Sequence, residues 1–302
     1  MEESVLTSVV LPAALFLIML GMGLSLTLGD FKRVAEVPRA AVVGLICQLL
    51  ILPLVALGLI HAFGMTGALA VGLMIIAACP GGVTSNLITH VSRGDTALSI
   101  TLTAITSFIT VFSIPVLISY ALSNFMGAEQ SVELPVLKTI LQVVAITIVP
   151  VSLGMLVRHK RLSFAEKMER PSRIASTIIF ILITVGVILA NKQVIKDHFL
   201  SLAGVTVSLN VLTMIIGFGA AFLARLPGRQ MRTISIESGI QNGTLAIVIA
   251  TTIIKNGEMA LPGGVYSLVM FATGGLMMAY GAFFAGKAEE GAPATSASAD
   301  AG

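Results

Sequence analysis

Residues 236–243 read Ile-Glu-Ser-Gly-Ile-Gln-Asn-Gly, a polar and glycine-broken insert in a run from Thr233 to Ile254 that is otherwise uncharged. Glu237 is the only carboxylate within any of the long apolar runs of this chain. An ionised carboxylate at the centre of a bilayer costs roughly 3 kcal/mol even on lenient insertion scales, so it faces a cavity, a partner or a bound cation. The insert therefore predicts a functional site at membrane depth.

The composition is that of an integral membrane protein. Of the 302 residues, 56% are hydrophobic and 11% are charged, and the mean hydropathy is +0.99, outside the range of soluble globular domains. A hydrocarbon core of roughly 30 Å needs about 20 helical residues. The uncharged runs predict an all-α polytopic fold with about nine transmembrane helices in one domain over residues 1–286, followed by a disordered cytoplasmic tail over 287–302. The predicted spans are roughly 5–28, 40–60, 67–91, 96–120, 136–157, 174–191, 200–224, 230–254 and 262–285.

The charges at the ends of these spans predict an orientation. Nine spans place fourteen Lys and Arg residues on one face, here called the basic face, and four on the other. By the positive-inside rule the amino terminus lies outside and the carboxyl terminus lies in the cytoplasm of a cell membrane, which we take as a bacterial inner membrane. The net charge of +3 then reflects topology and not a nucleic-acid partner.

Two of the predicted spans contain breaks. The third span carries Cys-Pro-Gly-Gly-Val-Thr-Ser-Asn over residues 79–86, and the eighth carries the Glu237 insert. Proline removes a backbone donor and paired glycines loosen a helix, although a single case would indicate only packing or a kink. The two spans are five apart and so cross in opposite directions, which is typical of inverted repeats with a substrate site between them. Spans one to four would correspond to spans six to nine.

Several polar side chains share the depth of Glu237. Counting 1.5 Å per helical residue from the charged boundary places Gln48, Thr103, Ser85, Asn86 and Glu237 about 10 to 15 Å deep, with Ser99 shallower at about 6 Å. Hydroxyl, amide and carboxylate oxygens suit a hard monovalent cation, whereas transition metals prefer thiolate or imidazole sets.

Simpler interpretations of each residue stay open. Ser99 and Thr103 could bond back to helix carbonyls, Gln48 could join two helices, and Asn242 could only cap the second half of its span. A lone buried acid could also serve as a proton relay.

The motifs resemble those of the bile acid:sodium symporter family. They are the run 79–86, the following Arg-Gly-Asp-Thr-Ala-Leu-Ser over 93–99, and Glu-Ser-Gly-Ile-Gln-Asn over 237–242, and the resemblance covers nearly the whole chain. It implies panel and core domains, with two crossed discontinuous helices in the core, and the coupling of sodium entry to the uptake of organic anions.

The resemblance also implies which residues bind the ions. One sodium site would comprise Ser85, Asn86, Ser99, Thr103 and Glu237. The second would comprise Gln48, Glu237 and Gln241, with Ser238 and Ile240 contributing main-chain carbonyls. Where some bacterial relatives carry His-Asn in the last span, this chain has Met270 and Phe271, so a bile acid is not carried over as the substrate.

The sequence predicts a secondary active transporter that moves an organic anion, bile-acid-like or a small carboxylate, with two sodium ions by alternating access. Thr84 and Asn242 are the predicted substrate contacts, because each lies at the start of the second half of its broken span. Proton coupling and export of the same anion remain alternatives within transport. An intramembrane enzyme needs paired acids, a nucleophile with its base, or a metal set, which a lone Glu does not provide, and a channel or sensor is a third class.

Overall fold

The computed structural model describes residues 10–127 and 135–285. These residues form helices joined by short connections and include no strand, which confirms the predicted all-α fold. The predicted tail at 287–302 and the first residues of the predicted first span lie outside the described residues.

Fourteen α-helices follow one another along the described residues. The first half contains α1 (Leu11–Ser25), α2 (Leu28–Lys32), α3 (Pro38–Ile46), α4 (Leu52–Ala62), α5 (Gly67–Ala78), α6 (Val83–Val91) and α7 (Thr96–Phe125). The second half contains α8 (Val136–Val143), α9 (Val149–Lys160), α10 (Leu162–Ala190), α11 (Lys192–Leu223), α12 (Gly228–Gly239), α13 (Gly243–Val248) and α14 (Leu261–Tyr280).

Short π-helical turns join α3 to α4 and α8 to α9, and each of them precedes a proline. The turn Cys47–Ile51 leads into Pro53, and the turn Val144–Ile148 leads into Pro150. Proline cannot donate to the carbonyl four residues earlier, and a local π-turn rearranges the hydrogen bonds without ending the helix. Each pair therefore continues as one long apolar helix.

Six helices are long and apolar enough to cross a membrane, and there are eight candidate spans among the described residues if two bent pairs are each counted as one. The bent pairs are Leu11–Ser25 with Leu28–Ala35, at 75°, and Gly67–Ala78 with Val83–Val91, at 62°. The predicted eighth span is not among the candidates. Its first half, α12, carries Arg229, Arg232 and Glu237, which lower its hydropathy, so the total of nine spans stays a prediction.

Some helices extend past the predicted spans. α10 begins at Leu162 and α11 at Lys192, whereas the predicted spans begin at 174 and 200. Charged residues such as Lys167 and Lys196 are good helix formers but are excluded from hydrocarbon, so a helix can continue where a membrane span ends. His198 has non-helical angles inside α11 (φ −119°, ψ 15°), which separates the charged first part from the apolar remainder.

Both predicted interruptions are confirmed. Between α5 and α6 the chain is extended at Cys79 and Gly82, and between α12 and α13 it is extended at Ile240. The two interruptions contact each other, because the Asn242 backbone N–H donates to the Pro80 carbonyl over 2.8 Å. Because Pro80 has no backbone N–H to donate, carbonyls near the break lack a partner within the helix and can accept from another segment.

The helices form two groups that correspond to the predicted panel and core. α1 packs mainly on α9 and α10, and α8 continues into α9, so these helices form the panel. The core contains α3 to α7 and α11 to α14, with α5 against α7 and α14, and α11 against α12. The interrupted helices therefore lie inside the core, where neighbouring helices cover their exposed backbone groups.

The panel depends on a close approach between α1 and α9. A Cβ atom on Gly23 would lie 2.2 Å from the Val151 carbonyl oxygen, and one on Gly154 would lie 2.4 Å from the Leu20 carbonyl oxygen. These are backbone atoms that a side-chain rotation cannot move away. The two helices therefore approach backbone to backbone, as small residues allow in membranes.

We expect Gly23→Ala and Gly154→Ala each to lower the midpoint of thermal unfolding of the detergent-purified protein, because overpacking costs about 1–3 kcal/mol. Gly58→Ala is the matched control, since nothing lies within 4 Å of a Cβ atom there and alanine favours a helix over glycine by about 1 kcal/mol. Equal midpoints for all three variants would contradict the close approach.

Candidate functional site

The side chain of Glu237 is 1% exposed and lies in the last turn of α12, just before the interruption. Its carboxylate accepts hydrogen bonds from two hydroxyls of α7, from Ser99 over 2.5 Å and from Thr103 over 3.0 Å. Ser99 and Thr103 are four residues apart and so share one helix face. α12 and α7 are thereby joined through the buried carboxylate.

α6, the half-helix that follows the Pro80 break, supplies the next two groups. The Asn86 amide oxygen lies 2.8 Å from the Ser99 hydroxyl and 3.3 Å from the Thr103 hydroxyl, as an alternative acceptor to Glu237 for the same two protons. The Ser85 hydroxyl donates to the Gly82 carbonyl over 2.7 Å and lies 3.4 Å from the Thr103 hydroxyl. The structure thus brings together all five residues predicted for the first sodium site.

The hydroxyls of α7 divide into two classes. Thr101, Thr106 and Ser107 donate back to carbonyls one turn earlier, over 2.7 to 2.9 Å. Ser99 and Thr103 instead turn toward Asn86 and Glu237. The simpler interpretation, in which Ser99 and Thr103 only bond back to their own helix, is therefore wrong.

This cluster has more oxygen acceptors than protons. The two carboxylate oxygens of Glu237 and the amide oxygen of Asn86 face only two hydroxyl protons, one from Ser99 and one from Thr103. Each hydroxyl has one proton to donate and further lone pairs to offer. Oxygen atoms from three helices are therefore directed at one another with a net negative charge, which is an environment suited to a cation.

Gly81 forms part of the wall of this cluster. A Cβ atom there would lie 2.7 Å from Glu237 Oε2 and 3.2 Å from Gln48 Nε2. The main chain of the break can approach the carboxylate this closely only because position 81 has no side chain. Sequence reasoning used the paired glycines as a helix break and missed this contact.

The residues of the second predicted set lie close to the same carboxylate, since a Cβ atom on Gly81 would meet Gln48 as well as Glu237 and Thr103. Gln48, which is 2% exposed, lies in the π-turn before α4, and its Nε2 is 3.5 Å from Gln241 Oε1. The Gln241 amide donates to the carbonyls of Glu237 over 3.2 Å and of Ser238 over 3.1 Å. Gln48 therefore contacts the break between α12 and α13, through Gln241, and not a second helix.

Two further details bear on this second set. Gln48 Oε1 is buried and has no hydrogen-bond partner among the described residues, and an unpaired buried acceptor carries a desolvation cost of about 1–3 kcal/mol. The Ser238 hydroxyl donates to the Ile234 carbonyl over 2.7 Å, and the Ile240 side chain is fully buried. The Ser238 hydroxyl is thus used within its own helix and Ile240 has no side-chain oxygen, so only their main-chain carbonyls could bind an ion, and that role stays a prediction.

The carbonyl at the end of α12 has its own supports. The Gly239 carbonyl accepts from Asn210 Nδ2 of α11 over 2.7 Å and from the Tyr266 hydroxyl of α14 over 2.8 Å. Sequence reasoning missed both residues. Asn210 was visible as an amide within the uncharged run from Phe199 to Ala224, but its partner could not be identified without the packing of α11 on α12.

A further set of contacts, here called the clasp, joins the turn after α6 to the start of α12. The Asp95 backbone N–H donates to the Thr233 hydroxyl over 2.7 Å, and Arg232 donates to the Arg93 carbonyl over 2.7 Å. A Cβ atom on Gly94 would lie 2.8 Å from the Thr233 hydroxyl. The Arg-Gly-Asp motif therefore fixes the two broken spans to each other at the end nearest the basic face.

Asn242 and Thr84, the predicted substrate contacts, line one small cavity of about 110 Å³ at the crossing of the interruptions. The Asn242 side chain also caps α13 by accepting from the Leu245 N–H over 3.0 Å, so the capping interpretation is confirmed. Phe180 of the panel and Met270 and Phe271 of α14 close the cavity. Panel and core residues therefore meet where the half-helices begin.

A family model described as the Sodium Bile acid symporter family matches residues 12–198. The chain belongs to this family. The match includes the span broken at Pro80 and the hydroxyls of α7, and it ends before α12. Glu237 therefore lies outside the family model.

Three relatives illustrate the range of the family. An uncharacterized sodium-dependent transporter, YocS, of Bacillus subtilis is 28% identical over 87% of this chain and 80% of its own length. The ileal sodium/bile acid cotransporter of Cricetulus griseus is 32% identical over 82% of this chain and 70% of its own length. A probable chloroplastic sodium/metabolite cotransporter, BASS1, of Arabidopsis thaliana is 27% identical over 83% of this chain, which spans 61% of that relative.

Family membership makes the chain a multi-pass membrane transporter of the sodium-coupled class and not an enzyme. The predicted resemblance is thereby confirmed. The ion-binding and substrate-binding roles of individual residues stay predictions, which the geometry above makes testable.

We expect Asn210→Leu to lower the midpoint of thermal unfolding, because it removes a donor to the buried Gly239 carbonyl and such a loss costs about 1–3 kcal/mol. Tyr266→Phe keeps the ring and the bond from Asn210 to the Gly239 carbonyl, so it should lower the midpoint by less. The control is Tyr120→Phe, at a side chain 45% exposed. A midpoint for Asn210→Leu equal to that of the wild type would show that the Gly239 carbonyl needs no support from α11.

Proposed function

We propose that this protein is a sodium-coupled symporter of an organic anion, bile-acid-like or a small carboxylate, that works by alternating access. The observation that carries the proposal is the convergence of Ser99, Thr103 and Asn86 on the carboxylate of Glu237, across the two interrupted helices. Membership of the family supports the same coupling ion.

Sodium is the cation that suits this cluster. All the groups around Glu237 are oxygen donors, which hard cations prefer over softer metals. The first monovalent ion would neutralise the single carboxylate, and a second would leave one positive charge near the proposed anion site. The first ion would take the side-chain oxygens of Ser85, Asn86, Ser99, Thr103 and Glu237.

A second ion would use the oxygens of the Gln48 and Gln241 set. Gln48 Oε1 is unpaired among the described residues, and the main-chain carbonyls of Glu237 and Ser238 each accept from the Gln241 amide and keep a second lone pair for a cation. Gln241 links them, since its amide bonds two of these carbonyls while its Oε1 faces Gln48. Two sodium ions that share the Glu237 carboxylate are therefore proposed.

The organic anion would bind at the cavity beside the crossing. The amino-terminal ends of helices attract negative charge, and α6 and α13 both begin at this cavity, next to Thr84 and Asn242. Broken helices in transporters commonly use these ends for anionic substrates. The small volume suits a carboxylate head group, while the apolar side chains of Phe180, Met270 and Phe271 suit an apolar body.

Ion binding would control substrate binding through the core. Sodium at Glu237 ties α6, α7 and α12 together, and the Asn242 N–H bond to Pro80 joins the two interruptions beside the substrate cavity. Without the ions the negative charge of Glu237 opposes an anion nearby. Two sodium ions moving with a monovalent anion carry one net charge, which gains about 2.3 kcal/mol per 100 mV.

We further propose the location and orientation. The chain would lie in a bacterial inner membrane, with its amino terminus outside and its carboxyl terminus in the cytoplasm, because the basic face carries most of the Lys and Arg. The sodium gradient and the membrane potential then both drive uptake into the cell.

We expect sodium to raise the midpoint of thermal unfolding of the wild-type protein relative to equal concentrations of potassium or choline. A ligand at 100 times its dissociation constant stabilises the folded state by about 2.7 kcal/mol. Glu237→Gln and Thr103→Val should each remove most of this shift, because each removes an oxygen or a charge from the first site. The same variants reconstituted in proteoliposomes should lose sodium-driven anion uptake.

Matched controls separate this loss from general damage. Glu258→Gln changes an exposed carboxylate, and Thr101→Val changes a buried hydroxyl of the same helix that bonds back to Ala97, so both should keep the sodium shift. Uptake by the wild type that follows an imposed proton gradient, and ignores a sodium gradient, would contradict sodium coupling and favour proton coupling.

A further inference from the structure

A second and larger cavity lies away from the crossing, between the panel and the core. It has a volume of about 850 Å³ and lies between the α1–α2 connection, α7, α9 and the start of α10. We call it the slot. None of the residues proposed to bind sodium or the anion lines it, so neither the ion sites nor the crossing accounts for it.

The slot extends from the basic face into the hydrocarbon region. Arg158, His159 and Leu162 line one end, where the end of α9 carries Arg158, His159, Lys160 and Arg161 in sequence. The α7 side of the slot, at Ile105 to Ile109, lies nine to thirteen residues past the start of that helix, or about 14–20 Å deeper. Charge and apolar surface are therefore separated along the membrane normal.

Apart from Arg158 and His159, the lining of the slot is almost entirely apolar. Leu26, Phe31, Phe108 and Met155 line it, and the rings of Phe31 and Phe108 meet edge to face at a centroid distance of 5.3 Å. The other polar groups of the lining are the hydroxyls of Thr27 and Ser152. A small hydrophilic anion would find few partners inside, whereas an acyl chain would lose no hydrogen bonds there.

The slot is open toward the bilayer. Four of its apolar side chains are substantially exposed on the surface of the protein: Leu28 by 70%, Ile109 by 39%, Leu156 by 47% and Leu162 by 53%. In a membrane protein such a surface at this depth contacts lipid. The most abundant amphipathic molecules at the opening are therefore the phospholipids of the adjacent leaflet.

The Arg158 side chain is held in place at the charged end of the slot. One guanidinium nitrogen donates to the Leu24 carbonyl at the end of α1 over 2.9 Å, which holds the side chain across the mouth of the slot. Arg158 Nε is buried and has no hydrogen-bond partner among the described residues. An oriented arginine with unused donor capacity suits a phosphate group.

The other charges near the mouth support an anion. Asp30 of α2 and Glu166 of α10 are the acidic residues nearest the lining, and the Asp30 carboxylate accepts hydrogen bonds from the backbone N–H and the hydroxyl of Thr27 over 2.6 and 2.7 Å. Against these two carboxylates stand Lys32 of α2 and Arg158, Lys160 and Arg161 at the end of α9. Basic pockets between membrane helices on the cytoplasmic side are a known form of anionic lipid site.

We propose that the slot binds an anionic phospholipid from the leaflet on the basic face, with its phosphate beside Arg158 and an acyl chain between α7 and α9. Because α9 belongs to the panel and α7 to the core, the bound lipid contacts both groups of helices. The proposal does not rest on the proposed transport function, and Glu237→Gln should leave lipid binding unchanged.

Native mass spectrometry of the full-length protein in non-ionic detergent tests the proposal with phosphatidylglycerol and phosphatidylcholine of identical acyl chains. The wild type should retain phosphatidylglycerol about fivefold or more in preference to phosphatidylcholine, the effect of one well-placed basic residue. Arg158→Gln should lose most of this preference. Arg39→Gln removes an exposed charge of the same face that does not line the slot, and it should keep the preference.

A second variant tests the slot without changing any charge. Ser152→Phe places a ring in the cavity and should reduce retention of both lipids, while a monodisperse elution profile shows that the protein is folded. Equal retention of the two lipids by the wild type, or equal preferences in Arg158→Gln and Arg39→Gln, would overturn the proposal. Displacement of phosphatidylglycerol by a soluble steroid carboxylate at equal concentration would overturn it in favour of a substrate site.

Discussion

Removing a carboxylate from water costs several kcal/mol unless charge and hydrogen bonds compensate for it, and Glu237 is buried with no cationic side chain among its hydrogen-bonding partners. Two hydroxyl donors reduce this cost but leave the negative charge in place. The arrangement around Glu237 follows from this constraint. α7 presents Ser99 and Thr103 on one face, the half-helix α6 brings Asn86, and Gly81 leaves room for the carboxylate against the main chain.

The interruptions that create this site expose backbone groups, which a membrane interior tolerates only where protein partners or a cavity satisfy them. Three carbonyls of the breaks have identifiable partners. The Pro80 carbonyl is bonded by the Asn242 N–H, the Gly82 carbonyl by Ser85, and the Gly239 carbonyl by Asn210 and Tyr266. The breaks are thus supported by one bond between them and by side chains of nearby helices, whereas Gln48 Oε1 has no partner among the described residues.

The sequence predicted the features that depend on local chemistry and on distance along a helix. Pro80 and its paired glycines located the first break, the glycine-broken polar insert at Glu237 located the second, and counting residues from the charged boundaries placed Gln48, Asn86, Thr103 and Glu237 in one layer. The count gives depth but not rotation about the helix axis, so it could not separate Thr103, which faces Glu237, from Thr101, which bonds back to Ala97. The support from Asn210 and Tyr266, the wall at Gly81 and the lipid slot all depend on which helices pack together, and a single sequence does not give that information.

The central claim is that a monovalent cation occupies the oxygen cluster at Glu237. A crystal structure with thallium in place of sodium tests it most directly, because thallium is a monovalent cation whose anomalous scattering identifies its position. The account predicts an anomalous peak within coordinating distance of the oxygens of Glu237, Ser99, Thr103 and Asn86, and loss of that peak when excess sodium is added. A Glu237 carboxylate that faces lipid, or a cluster without a peak at saturating thallium, would contradict it.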